Sequence, residues 1–171
     1  MNKFLKSALV ILSMLVSIVI GGIAVAAVEY VLDVIVTPSA FTDFGSMSFA
    51  DKATAIDNYL NSHWFAFPSV VIGHATAPFV SVTLLVAFIR LINRGLEVKL
   101  KTWYFALLIV CLWIFVDFVM DLVVLPIGPM LASIDAGVSL VLGIIAFVIA
   151  GGMRKHEGTE RVSTEDGVYR G

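Results

Sequence analysis

Residues 7–28 carry no charged side chain. A helix over these 22 consecutive positions is ~33 Å long, enough to cross a hydrocarbon core of ~30 Å. In lipid a chain has no water to satisfy its backbone N–H and C=O groups, so such a run must be a helix. Lys3 and Lys6 stand before it. The same stretch admits one other reading. A basic start, an apolar middle and Ala24-Val25-Ala26 have the layout of a secretory signal peptide ending in an Ala-x-Ala cleavage site. The run is longer than the usual apolar region of such a signal, and both readings leave the downstream topology unchanged.

Three more runs of this kind follow. The expected spans are about 7–36, 68–92, 102–125 and 134–153. The chain is 60% hydrophobic and 14% charged, with a mean hydropathy of +1.00. A soluble domain of 171 residues cannot hide that much apolar surface. The expected fold class is therefore all-α: an integral membrane four-helix bundle over residues 1–155, with the lipid bilayer as its solvent. A tail at 156–171 mixes both charges with Gly, Ser and Thr, lacks a periodic apolar face and is expected to be mobile. A net charge of −2 argues against a nucleic-acid partner. The single Cys111 lies in an apolar run and reads as a small hydrophobe.

Residues 37–67 form the one long polar connection. In it, Ser48 followed three residues later by Asp51 predicts a capped helix over 49–61. Its aromatics, among them Phe49, Tyr59, Trp64 and Phe65, suit the headgroup layer. That helix reads as interfacial, or as a lid over a site. Orientation follows from basic residues in the connections. Lys3 and Lys6, then Arg90, Arg94, Lys99 and Lys101, then Arg154 and Lys155 cluster on one side, and the 37–67 connection has only Lys52. Both termini are therefore expected in the cytoplasm, 37–67 outside, and the protein in the cytoplasmic membrane of a prokaryote.

Against this apolar background the acids stand out. Glu29, Asp33 and Pro38 have the same spacing as Asp117, Asp121 and Pro126, 88 positions later. The repetition suggests two helix-pair halves related by a parallel two-fold repeat. Measured from the basic end, Asp117 and His74 each lie 16 residues in, or ~24 Å along a helix. Asp121 falls ~6 Å further out, and Asp135 at the start of the last span reaches the same outer layer. Two like charges at i, i+4 share a helix face and repel, and lipid makes each one costly. They are relieved by protonation, by a bound cation, or by hydration at the headgroups.

The candidate cation- or proton-binding residues are therefore Glu29, Asp33, His74, Asp117 and Asp121, with Asp135 and Pro78 secondary. Glu29, His74 and Asp117 are the candidate metal ligands, because carboxylates with an imidazole suit a divalent cation such as Zn²⁺ or Mn²⁺. Pro78 enters because a helical proline frees the carbonyl four residues back, here that of His74. Small-residue stripes at Gly21-Gly22, at Gly73, Ala77 and Ser81, and at Ser139 and Gly143 read as helix packing. The chain has no glycine-rich phosphate loop, no Gly-x-Ser-x-Gly and no His-Glu-x-x-His. The leading functional expectation is proton- or cation-linked transport or cation binding, which for so small a carrier implies a homodimer. The alternatives are a non-catalytic accessory subunit whose acids meet a partner membrane protein, and an intramembrane metalloenzyme acting on a lipid or quinone.

Overall fold

The structure is a computed structural model that describes residues 3–36, 43–96, 100–124 and 126–151. The tail at 156–171, Lys99, Arg154 and Lys155 lie outside the described residues. The described chain is all-helical. Helix α1 spans Lys3–Val36, α2 Phe49–Ser62, α3 Ala66–Gly95, α4 Thr102–Val119 and α5 Pro129–Ile149. A π-helical turn over Met120–Val124 extends α4. Four of these elements are long and apolar enough to cross a membrane: Phe4–Leu32, Ala66–Gly95, Thr102–Val124 and Pro129–Ile149. This is the make-up of an integral membrane protein.

Helix α3 is the hub, packed against α1, α4 and α5. Small residues set how closely its neighbours approach. A Cβ on Gly21 of α1 would stand 3.0 Å from the Ala77 carbonyl of α3 and run into Ser81 Oγ. A Cβ on Gly143 of α5 would fall 2.6 Å from Val110 Cγ2 of α4. Such approaches matter in lipid, where helices gain from close packing rather than from escaping water. Trp113 of α4 donates its indole N–H to Ser81 Oγ at 3.0 Å, which ties α4 to the same crossing.

The contacts fix the directions. Ser81 meets Trp113, and Asn93 accepts from the Leu100 backbone at 2.9 Å, so α3 and α4 run antiparallel. His74 meets Asp135 and Arg90 meets Ala150, so α3 and α5 run parallel. The start of α1 and the finish of α5 thus lie at the end of the bundle that holds Arg90. There the Arg90 guanidinium donates to the carbonyls of Ala150 and Gly151, two groups that the end of α5 leaves without helical partners. Gly151 takes φ +77°, the left-handed turn that commonly follows a helix.

At the opposite end lies α2. Ser48 caps it: its Oγ accepts from Asp51 N at 3.3 Å and donates to Asp51 Oδ2 at 2.6 Å. Ile56 of α2 is buried with Ile127 and Ala132, against Leu60, Phe67, Leu122 and Leu131. The helix therefore lies over the turn that joins α4 to α5. Between the two ends the core divides. Val82, Leu85, Val86, Ile89, Ala106, Ile109, Val110 and Ala146 form an apolar cluster in the half toward Arg90. The half toward α2 holds the polar centre.

Candidate functional site

His74 lies two turns into α3 and is 5% exposed. A hydrogen bond of 2.6 Å joins its Nδ1 to Asp135 Oδ2. The same nitrogen stands 3.7 Å from Asp121 Oδ1, and Nε2 stands 3.7 Å from Glu29 Oε1. One imidazole thus faces carboxylates from α1, from the π turn after α4 and from α5. Asp121 and Asp135 have no exposed surface at all, and Asp117 is also buried. The Glu29 side chain is 45% exposed, so it stands at the edge of the group.

Local sequence explains how each acid reaches this place. Pro126 has no N–H and cannot continue the helical ladder of α4. The last turn widens into the π form, and Ile127 N donates back to Asp121 O at 3.1 Å. Single π turns recur at functional sites because they re-aim a side chain without ending a helix. Here the turn carries Asp121 into the interior. Gly128 at φ 88° and Pro129 at the first helical position begin α5 five residues earlier than the span expected at 134. Asp135 is therefore inside α5 rather than at its start, one face away from lipid and against His74. Glu29 approaches α3 at Gly73, where a Cβ would stand 3.1 Å from Glu29 Cγ.

One turn further toward the Arg90 end, Ser139 Oγ donates to Asp117 Oδ2 at 3.2 Å. The acids of α4 and the polar groups of α5 therefore form two rungs. Asp121 and Asp135 make the upper one, with His74; Asp117 and Ser139 make the lower. Below them the apolar cluster closes the bundle.

The charges around His74 do not balance among the described residues. Among the described residues, no Lys or Arg pairs with Asp117, Asp121 or Asp135; their one basic neighbour is His74. Both oxygens of Asp121 and Asp135 Oδ1 are buried with no hydrogen-bond partner among the described residues. A buried ionised carboxylate without compensation is strongly unfavourable. The arrangement therefore has room for positive charge. One ligand atom each from His74, Asp121 and Asp135 lies within 4.8 Å of the others, close enough to hold one metal ion.

Of the residues singled out from the sequence, His74, Asp121 and Asp135 come into one cluster, with Glu29 at its edge and Asp117 on the rung below. Asp33 belongs to α1, but its side chain lies outside the described residues. Pro78 is buried inside α3, one turn from His74. The repeated acid pattern does not give repeated surroundings: Glu29 is half exposed where Asp117 is buried. Ser139 was legible only as a packing residue, though its i, i+4 spacing from Asp135 places both on one face of α5. Comparison with protein-family models, with curated proteins and with solved structures gives no match for this chain.

Proposed function

We propose that this protein takes up protons or a cation into the centre formed by His74, Asp121 and Asp135, as the binding step of proton- or cation-linked transport. Glu29, with Asp33 one turn beyond it, guards the approach, and Asp117 is the next acid along the path. The observation that carries this reading is the pair of fully buried aspartates with three oxygens lacking hydrogen bonds among the described residues. A carboxylate set of this kind costs several kcal/mol to keep in lipid, and such groups characteristically mark ion or proton pathways.

The distribution of Lys and Arg supports an orientation with the α2 end outside the cytoplasm, and in this reading loading is from the outer face. The apolar packing of Leu85, Ile109 and Val110 below the centre fits a conformation shut toward the cytoplasm. A second copy is part of this reading, because four spans are few for a carrier. The accessory-subunit alternative has less support: Asp117, Asp121 and Asp135 are turned inward, out of reach of a partner's basic groups.

The test is reconstitution of the full chain in liposomes that contain a pH-reporting dye, under an imposed proton or cation gradient. The expected result is flux that depends on the protein and is lost in Asp121→Asn and Asp135→Asn, with insertion retained. Flux in wild type no greater than in empty liposomes, or undiminished flux in both variants, would refute the proposal.

A further inference from the structure

The geometry points to a specific occupant: a divalent first-row transition metal, of the Zn²⁺ or Mn²⁺ class, bound by His74 Nδ1, Asp121 and Asp135, with Glu29 positioning the imidazole. The inference rests on the cation-handling reading above and names the ion. It differs from the ligand set expected from sequence, in which Glu29 and Asp117 accompany His74.

Three observations lead to it. The first is charge. A 2+ ion with two aspartates and a neutral imidazole gives a group of zero net charge, the arrangement a low-dielectric interior tolerates best. A monovalent ion would leave one negative charge unbalanced. The second is donor chemistry. Ca²⁺ and Mg²⁺ take oxygen ligands, whereas imidazole selects transition metals. His74 turns Nδ1 toward both buried aspartates, with Asp135 Oδ2 at 2.6 Å and Asp121 Oδ1 at 3.7 Å. Ligands bound at ~2.1 Å to a tetrahedral ion stand ~3.4 Å apart. The His74–Asp121 separation is already close to that value, and the His74–Asp135 hydrogen bond has only to open. The unpartnered oxygens of Asp121 and Asp135 Oδ1 supply the remaining lone pairs.

The third observation is the other face of the ring. Glu29 Oε1 lies 3.7 Å from Nε2. When a metal takes Nδ1, the proton leaves that nitrogen and the ring carries its hydrogen on Nε2. A small closure of Glu29 then accepts it, giving the carboxylate–histidine–metal sequence that orients metal-bound imidazoles. Glu29 is thus a positioning residue rather than a ligand. Three protein ligands leave a fourth position for water or for an ion's exit.

The experiment uses the full-length protein in detergent, stripped with a chelator and titrated with ZnCl₂ and MnCl₂. The expected result is saturable binding of one ion per chain, with Zn²⁺ tighter than Mn²⁺, and no competition from excess Ca²⁺ or Mg²⁺. Asp121→Asn and Asp135→Asn should each weaken binding on the order of 100-fold, and Glu29→Gln about 10-fold, as loss of an outer partner does. His63→Ala and Asp57→Asn, exposed groups on and beside α2, should bind as wild type. Pulsed EPR of the Mn²⁺ form should show nitrogen coupling from one imidazole, lost in His74→Gln. This signal is read on the wild type first, so it decides the question even where a variant fails to fold. No saturable binding, equal binding of Ca²⁺, or Mn²⁺ without nitrogen coupling would overturn the assignment. If wild type binds neither metal yet shows flux that needs Asp121, the metal falls and the transport reading stands. If flux is also absent, both fall.

Discussion

The two halves of the bundle are made from the same three helices and built on opposite terms. Toward Arg90, α3, α4 and α5 meet through Leu85, Ile89, Ile109, Val110 and Ala146, with little or no exposed surface. Charge is held at the very end, where Arg90 closes the carbonyls of α5. Toward α2, the same helices bring His74, Asp117, Asp121 and Asp135 into the interior and leave three oxygens without hydrogen bonds among the described residues. The first half needs no ligand to be complete. The second keeps buried charged groups that are costly in a low-dielectric interior. The difference separates a half packed from apolar side chains alone from a half whose buried charges lack compensation among the described residues.

Substitutions can break or sharpen that contrast, with stability read in metal-free protein. The largest effect is expected from His74→Leu, which removes the one basic neighbour of Asp121 and Asp135 among the described residues. Losing one member of a buried charged set costs about 3–5 kcal/mol, read as unfolding free energy in detergent. A change under about 1 kcal/mol would mean that the imidazole does not balance these acids. Next is Leu85→Ala in the apolar half. A core cavity there should cost about 3 kcal/mol and leave ion binding intact; weaker binding would show that the halves are coupled.

Replacing His74, Asp121 and Asp135 together by Leu should convert the polar half into the other kind. Apolar replacement of a buried ionic group is neutral or stabilising, by up to about 4 kcal/mol, so about 2 kcal/mol is expected here together with loss of all flux. A less stable triple variant would show that the centre itself holds α3 to α5. Arg90→Ala should cost about 1.5 kcal/mol by removing charged hydrogen bonds from the end of α5, with a rise in amide exchange confined to that end. The smallest effect is expected from Ser48→Ala. It should cost about 1 kcal/mol and loosen α2 alone, since a helix cap acts locally. Faster metal exchange in that variant would extend the role of α2 from packing over the turn to controlling access.

Much of this architecture is written locally. Uncharged runs such as 7–28 had to be membrane-length helices, because lipid offers the backbone no other partner. Ser48 and Asp51 were enough to start α2. Position along each helix was legible as well, since helical rise is constant and the basic residues mark one end. That arithmetic put Glu29, Asp33, His74, Asp117, Asp121 and Asp135 in one layer. It could not say which of them touch. Asp135 looked like a residue at the mouth of its span, and it is the closest partner of His74 because α5 starts at Pro129 and runs parallel to α3 in a register that Arg90 and Ala150 share. The π turn that carries Asp121 inward, the Ser139 bond to Asp117 and the place of Glu29 beside Gly73 were equally out of reach. Composition and periodicity fix what each helix is and how far along it each side chain stands. Rotation about the helix axis and the choice of neighbour are settled only when the helices close on one another at Gly21, Gly73 and Gly143, and that closure depends on pairs of residues far apart in the chain.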